Sequence, residues 1–543
     1  MNNAVFQFPL PANEPIKSYA PGTSERELLK KSLQEVTTHV EDIPLIIGGK
    51  EVRTGDTGKV VMPHDHHHVL ATYHKAGEKE VAMAVEAAMK AHGEWSRLPW
   101  VERASITMKV AELLSTKYRY AMNAAVMAGQ SKNPYQAEID APCEAIDFLR
   151  FNTHFASQIY ADQPIQSTGV INRTEYRALE GFVFALTPFN FTAIASNLNL
   201  SPVLMGNVSV WKPSTTAIYS NYLLMKIFKE AGVPDGVINF IPGQGSVIGK
   251  TILAHPSFAG LHFTGSTNTF DTLWKGIGNN LSNYRSYPKI VGETGGKDFI
   301  FVHPSACADE VAVAMVRGAF EYQGQKCSAA SRAYVPASMW NGLKERIGAM
   351  LEHMIPGDVR DFSNFMNAVI DEPSFDTIMA YIDFAKQSTE AEIVFGGKGD
   401  KSKGYFVYPT VIEAKTPSFK TMTEEIFGPV LSVYVYPDDK FEETLKVCDE
   451  TSPYALTGSI FARDRYAVMK AFDTLRYAAG NFYINDKPTG AVVGNQPFGG
   501  SRASGTNDKA GCGLNLLRWV SPRSIKETLV PPVDYTYPFM KHE

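Results

Sequence analysis

Cys327 lies in Gly324-Gln325-Lys326-Cys327-Ser328-Ala329-Ala330-Ser331, a thiol among small and polar residues. The run 306–322 before it has helical periodicity, and Arg332-Ala333-Tyr334-Val335 after it reads as a strand. Glu293 stands 34 positions upstream in Val291-Gly292-Glu293-Thr294-Gly295-Gly296-Lys297, an acid at a glycine-flanked strand end. A thiol in a small-residue turn and a lone acid are the parts of covalent catalysis. The sulfur attacks an electrophilic carbon, and the carboxylate activates the water that frees the product. A lone cysteine is more often a small buried hydrophobe, so the assignment depends on what else the chain supplies.

Other strand ends supply candidates. Thr187-Pro188-Phe189-Asn190-Phe191 places an amide where its NH2 can donate to an oxyanion, or where it caps the following helix. Trp211-Lys212-Pro213-Ser214 ends a strand with a lysine and a serine that can grip ribose hydroxyls, or simply stay solvated. Phe263-Thr264-Gly265-Ser266 is a strand end, a glycine turn and a helix start. Its N–H groups suit a pyrophosphate, although it is not GxGxxG and a plain strand-to-helix turn reads the same. Glu424-Glu425-Ile426-Phe427-Gly428-Pro429 offers a carboxylate for a second ribose and an aromatic face for a nicotinamide, or is an ordinary loop. His64-Asp65-His66-His67-His68 reads as a polar turn, because no further ligand follows at metal spacing. No metal is expected.

These residues need a scaffold. Helical periodicity covers 24–36, 79–95, 100–128 and 135–160, with Pro142 kinking or restarting the last. From 183 onward, apolar strands (183–186, 208–211, 237–241, 261–263) alternate with helices (193–204, 217–231). A second alternating series runs from 298 to 486. That pattern predicts α/β architecture with open, mostly parallel sheets, which bind ligands at their strand ends. The Gly/Pro-rich segment 488–513 is the longest irregular stretch, and long ordered loops usually carry function.

Composition narrows the function class. A chain of 543 residues, 44% hydrophobic and 20% charged, is long enough for more than one globular domain. The net charge of −5 argues against binding nucleic acid through phosphates. No apolar run reaches membrane-span length. Five cysteines without a close CxxC pair suit a reducing compartment. The amino terminus has neither a signal-peptide pattern nor transit-peptide character. The expectation is a cytoplasmic protein, or a mitochondrial matrix protein whose targeting segment is removed.

Taken together, PFNFT around Asn190, WKPS around Lys212, FTGS at 263–266, ETGGK around Glu293, GQKC around Cys327 and EEIFGP at 424–429 resemble the aldehyde dehydrogenase superfamily in identity, order and spacing. Asn13-Glu14-Pro15, Ala137-Glu138-Ile139-Asp140, TPFNFTAIA at 187–195, Ser328 and GNQPFGGSRASGTNDKAG at 494–511 are most similar to its Δ1-pyrroline-5-carboxylate dehydrogenase branch. The resemblance implies a Rossmann-type NAD-binding domain (1–162 and 183–295), a catalytic domain (296–513) and a small β-flap for oligomerisation (163–182 and 514–543). It implies Cys327 as nucleophile, Glu293 as general base and Asn190 as oxyanion donor. Thr187, Lys212, Ser214, Gly265, Ser266, Glu425 and Phe427 would bind NAD. The backbone N–H groups of Gly490 and Ala491 and the Ser328 hydroxyl would hold a substrate carboxylate, Phe498 would pack on its chain, and Glu144 would line the channel mouth.

Relatives that prefer NAD often carry Glu three places after the lysine. Here that place is Thr215, which leaves NADP as an alternative cofactor. A helix start at Cys327, together with the cationic nicotinamide, would favour the thiolate. No arginine in the matched loop is assigned to the carboxylate. The implied reaction is oxidation of glutamate γ-semialdehyde to glutamate in proline breakdown, by a single-function polypeptide. The alternatives are a dehydrogenase for another carboxylated aldehyde, such as succinate semialdehyde, and a non-catalytic protein on the same fold. Polar strand-like pieces at 168–179 and 519–529 imply a homodimer, with higher assembly open.

Overall fold

The computed structural model describes residues 6–542. Residues 1–5, part of the amino-terminal stretch read above for targeting character, and residue 543 lie outside the described residues.

Two seven-stranded sheets organise the chain. In the first, Lys289–Glu293, Phe258–Thr264, Phe182–Leu186, Val208–Lys212 and Ile238–Phe240 run parallel in that spatial order. Leu45–Ile47 and Lys50–Val52 close one edge antiparallel. Strand Phe258–Thr264 is buried throughout and Val208–Lys212 nearly so, as a sheet covered on both faces requires. The register pairs Leu186 with Lys212, Phe263 with Leu186, and Thr264 with Glu293. The carboxyl ends of four strands therefore line up along one edge.

The second sheet has the order Ala391–Phe395, Thr410–Ala414, Val430–Tyr436, Ala330–Pro336, Asp298–Val302, Thr457–Phe461, Asn481–Ile484. It is parallel except for the first strand. Two hydrophobic clusters, one containing Phe299 and Phe301 and the other Ile300 and Val302, cover its faces. A separate two-stranded ribbon pairs Val170–Arg177 with Ser521–Thr528 antiparallel over eight residues.

Two local readings need correction, and the kink or restart expected at Pro142 is present as a π-turn. The span 100–128 is two helices, Trp100–Ser115 and Arg119–Gln130. The break comes at Thr116, whose φ of −112° and ψ of −82° leave the helical region. The histidine run is no turn beyond His64, because Asp65–His74 is a strand. His66 stacks on Tyr405 at 5.0 Å, and its backbone N–H donates to the Lys403 carbonyl. The 135–160 helix carries a π-helical turn, Ile139–Cys143, around Pro142. Proline lacks the N–H that a regular turn needs, and the wider turn absorbs that loss. It also brings Ile139, Asp140, Cys143 and Glu144 to one cavity wall.

Candidate active site

The turn that carries Cys327 is held by its backbone. Tyr322, Gln323 and Gly324 have φ of 51°, 55° and 67°. Left-handed backbone is costly for Tyr and Gln, so the surroundings must hold it. The Gln323 side chain donates to the Ala368 and Ser131 carbonyls and accepts from Asn367 N–H. Gln325 Oε1 accepts from Ile370 N–H at 2.8 Å. Gly324 has no substitute, since a Cβ there would lie 2.2 Å from the Gly428 carbonyl oxygen.

No helix starts at the thiol. Ala329 N–H closes a turn onto the Lys326 carbonyl, and strand Ala330–Pro336 follows. The expected helix contribution to a thiolate is therefore absent. Burial, and then the Glu293 carboxylate, push the Cys327 thiol well above its ordinary range.

Asn190 is buried and does not cap the next helix, whose N-cap is Phe191 without a side-chain bond. Its Nδ2 donates to the Gln325 carbonyl at 3.1 Å, two residues before the thiol. That bond fixes the amide and leaves its second N–H without a bond among the described residues. Glu293 ends strand Lys289–Glu293, and its carbonyl accepts from Gly265 N–H. Burial raises its carboxyl to about 8, with Lys509 pulling it back down.

Cys327, Ser328, Gly490, Ala491, Phe498 and Glu144 line one cavity of about 590 Å³. Asn190 and Glu293 are not in that lining and reach Cys327 from behind its turn. Ser328 is buried, with its hydroxyl 2.8 Å from that of Thr489. Gly490 has φ of 92°, open to glycine without strain. Phe498 exchanges two backbone hydrogen bonds with Ala510, which fixes its ring on the wall. Glu144 lines the wall, and burial pushes its carboxyl well up.

No arginine of the 494–511 loop lines the cavity, but Arg317, Lys326 and Lys487 from other segments do. Lys326 sits 3.8 Å from both Asp140 and Glu321, and Lys487 Nζ donates to the Thr489 carbonyl. Lys326 adjoins the nucleophile and was open to a reading from sequence. Arg317 and Lys487 carry no motif that separates them from solvated cations. The amino-terminal arm also reaches the cavity through Asn13, Glu14 and Ile16.

The aligned strand ends hold the cofactor candidates. Lys212 is half-buried with no acid near enough to offset it among the described residues, and burial depresses its ammonium to about 8. Ser214 lies beyond it, 3.3 Å from the Thr216 hydroxyl. The Thr187 hydroxyl accepts from the Trp211 indole at 3.0 Å. Gly265 turns into helix Thr267–Asn279, whose N-cap is Ser266. Glu425 accepts from Gly296 N–H at 2.9 Å, and burial raises its carboxyl to about 7. A Cβ at Gly295 would lie 2.3 Å from that carboxylate, so glycine is needed for the approach. Phe427 has φ of 57°, and its ring meets Phe189 edge to face at 5.8 Å. A half-buried lysine and a helix start along the first sheet's edge, with the Glu425 carboxylate reaching Gly296 from the loop before Val430–Tyr436, fit a dinucleotide.

No group of three or more His, Cys, Asp or Glu among the described residues is placed to hold a metal. No helix there is long and apolar enough to cross a membrane.

Residues 51–523 match the model of the aldehyde dehydrogenase family. A delta-1-pyrroline-5-carboxylate dehydrogenase, mitochondrial, of Dictyostelium discoideum is 54% identical over 98% of this chain and 96% of its own. The human protein of that name is 48% identical, over 98% and 94%. The crystal structure of the Delta-pyrroline-5-carboxylate dehydrogenase from Mycobacterium tuberculosis bound with NAD superposes with a TM-score of 0.96 at 50% identity, covering 100% of both chains. The motifs, their convergence at the sheet edges and the near end-to-end match agree: this chain belongs to the aldehyde dehydrogenase family.

Proposed function

We propose that the chain oxidises L-glutamate γ-semialdehyde, the open form of Δ1-pyrroline-5-carboxylate, to L-glutamate with NAD, the second step of proline degradation. The observation that carries this reading is the single cavity that joins a thiol to an anion site. Cys327 stands at one part of its wall, with Ser328, Gly490 and Ala491 beside it and cationic side chains around them. The named relatives support the same substrate, and the Mycobacterium structure supports the cofactor.

The chemistry follows from the residues. Cys327 loses its proton as its sulfur bonds the aldehyde carbon, giving a thiohemiacetal oxyanion. The free Asn190 N–H and the Cys327 backbone N–H hold that oxyanion. Oxidation leaves a thioester on Cys327. When bound, a nicotinamide cofactor supplies the hydride acceptor for that oxidation. Thr187, Lys212, Ser214, Gly265, Ser266, Glu425 and Phe427 hold it. Glu293 takes a proton from water, which attacks the thioester and frees the acid. Ser328 and the N–H groups of Gly490 and Ala491 grip the α-carboxylate, Phe498 packs on the methylenes, and Glu144 closes the wall.

The first sheet serves as the cofactor domain and the second as the catalytic domain, with boundaries near 162, 183, 295 and 513. The Gln163 and Gln166 side chains cover the outer edge of Val170–Arg177 by bonding the backbone of Thr174 and Asn172, which leaves the Ser521–Thr528 edge of the ribbon, and we assign that edge to a homodimer contact. The mitochondrial relatives favour a matrix location over the cytoplasm where the organism has mitochondria.

The deciding experiment runs purified protein on glutamate γ-semialdehyde, succinate semialdehyde and a neutral aldehyde, each with NAD and NADP. The highest kcat/KM is expected for glutamate γ-semialdehyde with NAD. Preference for another aldehyde would reassign the substrate. No reduction of either cofactor would remove the catalytic reading.

A further inference from the structure

Loop 499–511 wraps the strand end that carries Glu293. Thr506 N–H donates to the Gly292 carbonyl, Gly292 N–H donates to the Thr506 hydroxyl, and Thr294 N–H donates to the Ser504 carbonyl. Glu293 and Gly505 form an isolated bridge. The path forces Arg502, Asn507 and Lys509 to φ of 52°, 55° and 55°, strain of the kind that persists where the surroundings fix a group in place.

That strain delivers the Lys509 ammonium to a site with three neutral acceptors. Its Nζ donates to the Gly480 carbonyl at 2.8 Å, the Gly499 carbonyl at 2.9 Å and Asn481 Oδ1 at 3.3 Å. Among the described residues no carboxylate comes within ion-pair distance of it. Gly499 lies between the two groups: its carbonyl accepts from Lys509 Nζ, and a Cβ on it would lie 3.4 Å from Glu293 Oε1. A half-buried cation without a counterion is unfavourable unless a nearby group uses its field.

We propose that Lys509 is a positioning residue, a positive charge clamped by three neutral oxygens that keeps Glu293 able to ionise for thioester hydrolysis. The proposal rests on Glu293 as the base. The charged and titratable groups that face Glu293 are Lys509 and Asp508 from this loop and Cys327 from the nucleophile turn. Asp508 opposes Lys509, and its own field is offset by Arg518, whose Nε lies 3.1 Å from Asp508 Oδ1. Burial is the main force against ionisation of Glu293, and Lys509 is the first group acting the other way.

Lys509→Gln keeps hydrogen-bond donors and removes the charge. Its NADH burst should persist, while the pH midpoint of thioester hydrolysis moves up by about one unit. Hydrolysis would then be about tenfold slower at a pH below both midpoints. Lys509→Arg should restore the midpoint. An unchanged midpoint in Lys509→Gln would overturn the proposal, as would equal slowing of burst and hydrolysis with a lower melting temperature. If Lys509→Gln does not fold, the coupling is read from the other side, because it is reciprocal. In Glu293→Gln the Lys509 ammonium, followed by NMR, should titrate lower than in the parent protein, and an unmoved titration refutes the idea. Normal steady-state turnover of Glu293→Gln would instead refute the role of the base itself.

Discussion

The Ser328 hydroxyl stands 2.8 Å from the Thr489 hydroxyl and joins the nucleophile turn to the loop that carries Gly490 and Ala491. One oxygen donates to the other, and the remaining hydroxyl proton is free for a carboxylate. In the proposed reading, this contact would set the carboxylate site at a fixed distance from Cys327. Loss of a charge-assisted hydrogen bond costs about 1.5–3 kcal/mol. Ser328→Ala should lower kcat/KM for glutamate γ-semialdehyde roughly tenfold to a hundredfold and leave a neutral aldehyde of similar length far less affected. Steady-state kinetics on both substrates check this. Equal slowing would return Ser328 to a purely structural role.

Glu293→Gln should trap the thioester. Gln cannot accept the proton of the attacking water, so one burst of NADH per subunit is expected, followed by little turnover. In the parent protein the base gains its charge as pH rises through about 8. Hydrolysis should accelerate across that window. Stopped-flow absorbance of NADH reads both results.

Asn13→Ala should loosen the substrate loop. Asn13 Nδ2 donates at 2.8 Å to both Asp147 Oδ2 and the Val493 carbonyl, and its Oδ1 accepts from Asn495. Glu14, next to it, meets Arg119 and Arg150. Removing two buried bonds costs about 1–3 kcal/mol, spent on loop order rather than chemistry. The expected result is a KM severalfold higher for the carboxylated substrate with kcat largely retained. An unchanged KM would mean that the arm only packs.

Asp298→Asn should flatten the pH dependence of stability. Burial raises the Asp298 carboxyl from 3.8 to about 8, and its Oδ2 has no partner. The folded protein therefore holds a proton that the unfolded chain releases. Stability from this group is intact below the ordinary carboxylate range and falls as pH rises towards about 8. Asn keeps the acceptor for Thr457 N–H and has nothing to ionise. Melting temperature measured across that range should slope less in the variant.

Cys327, Glu293 and Asn190 could be singled out as candidates because each stands in a distinctive run beside a strand. The parallel sheets were legible from unbroken apolar strands such as Phe258–Thr264. The helix break at Thr116 was not, since apolar periodicity continues through it and no Gly or Pro marks where the backbone leaves the helix. His66 was misplaced because a histidine run carries no strand signal, and its partners Tyr405 and Lys403 are far away in sequence. Arg317, Lys487 and Lys509 escaped for a related reason. A single cation is ordinary on a surface, and only the fold brings exposed Arg317 and half-buried Lys487 to the cavity wall and half-buried Lys509 into the loop around Glu293.

Asn13 and Val493 touch across 480 residues of chain. The cavity takes one wall from residues 13–16, another from 133–148, a third from 317–328 and a fourth from 487–510. Contacts between segments so far apart in sequence slow folding. During synthesis Cys327 emerges from the ribosome well before the residues that complete its enclosure. An unfinished chain thus carries the nucleophile without the cleft that selects what it attacks, and substrate choice arrives with the last segment to be made.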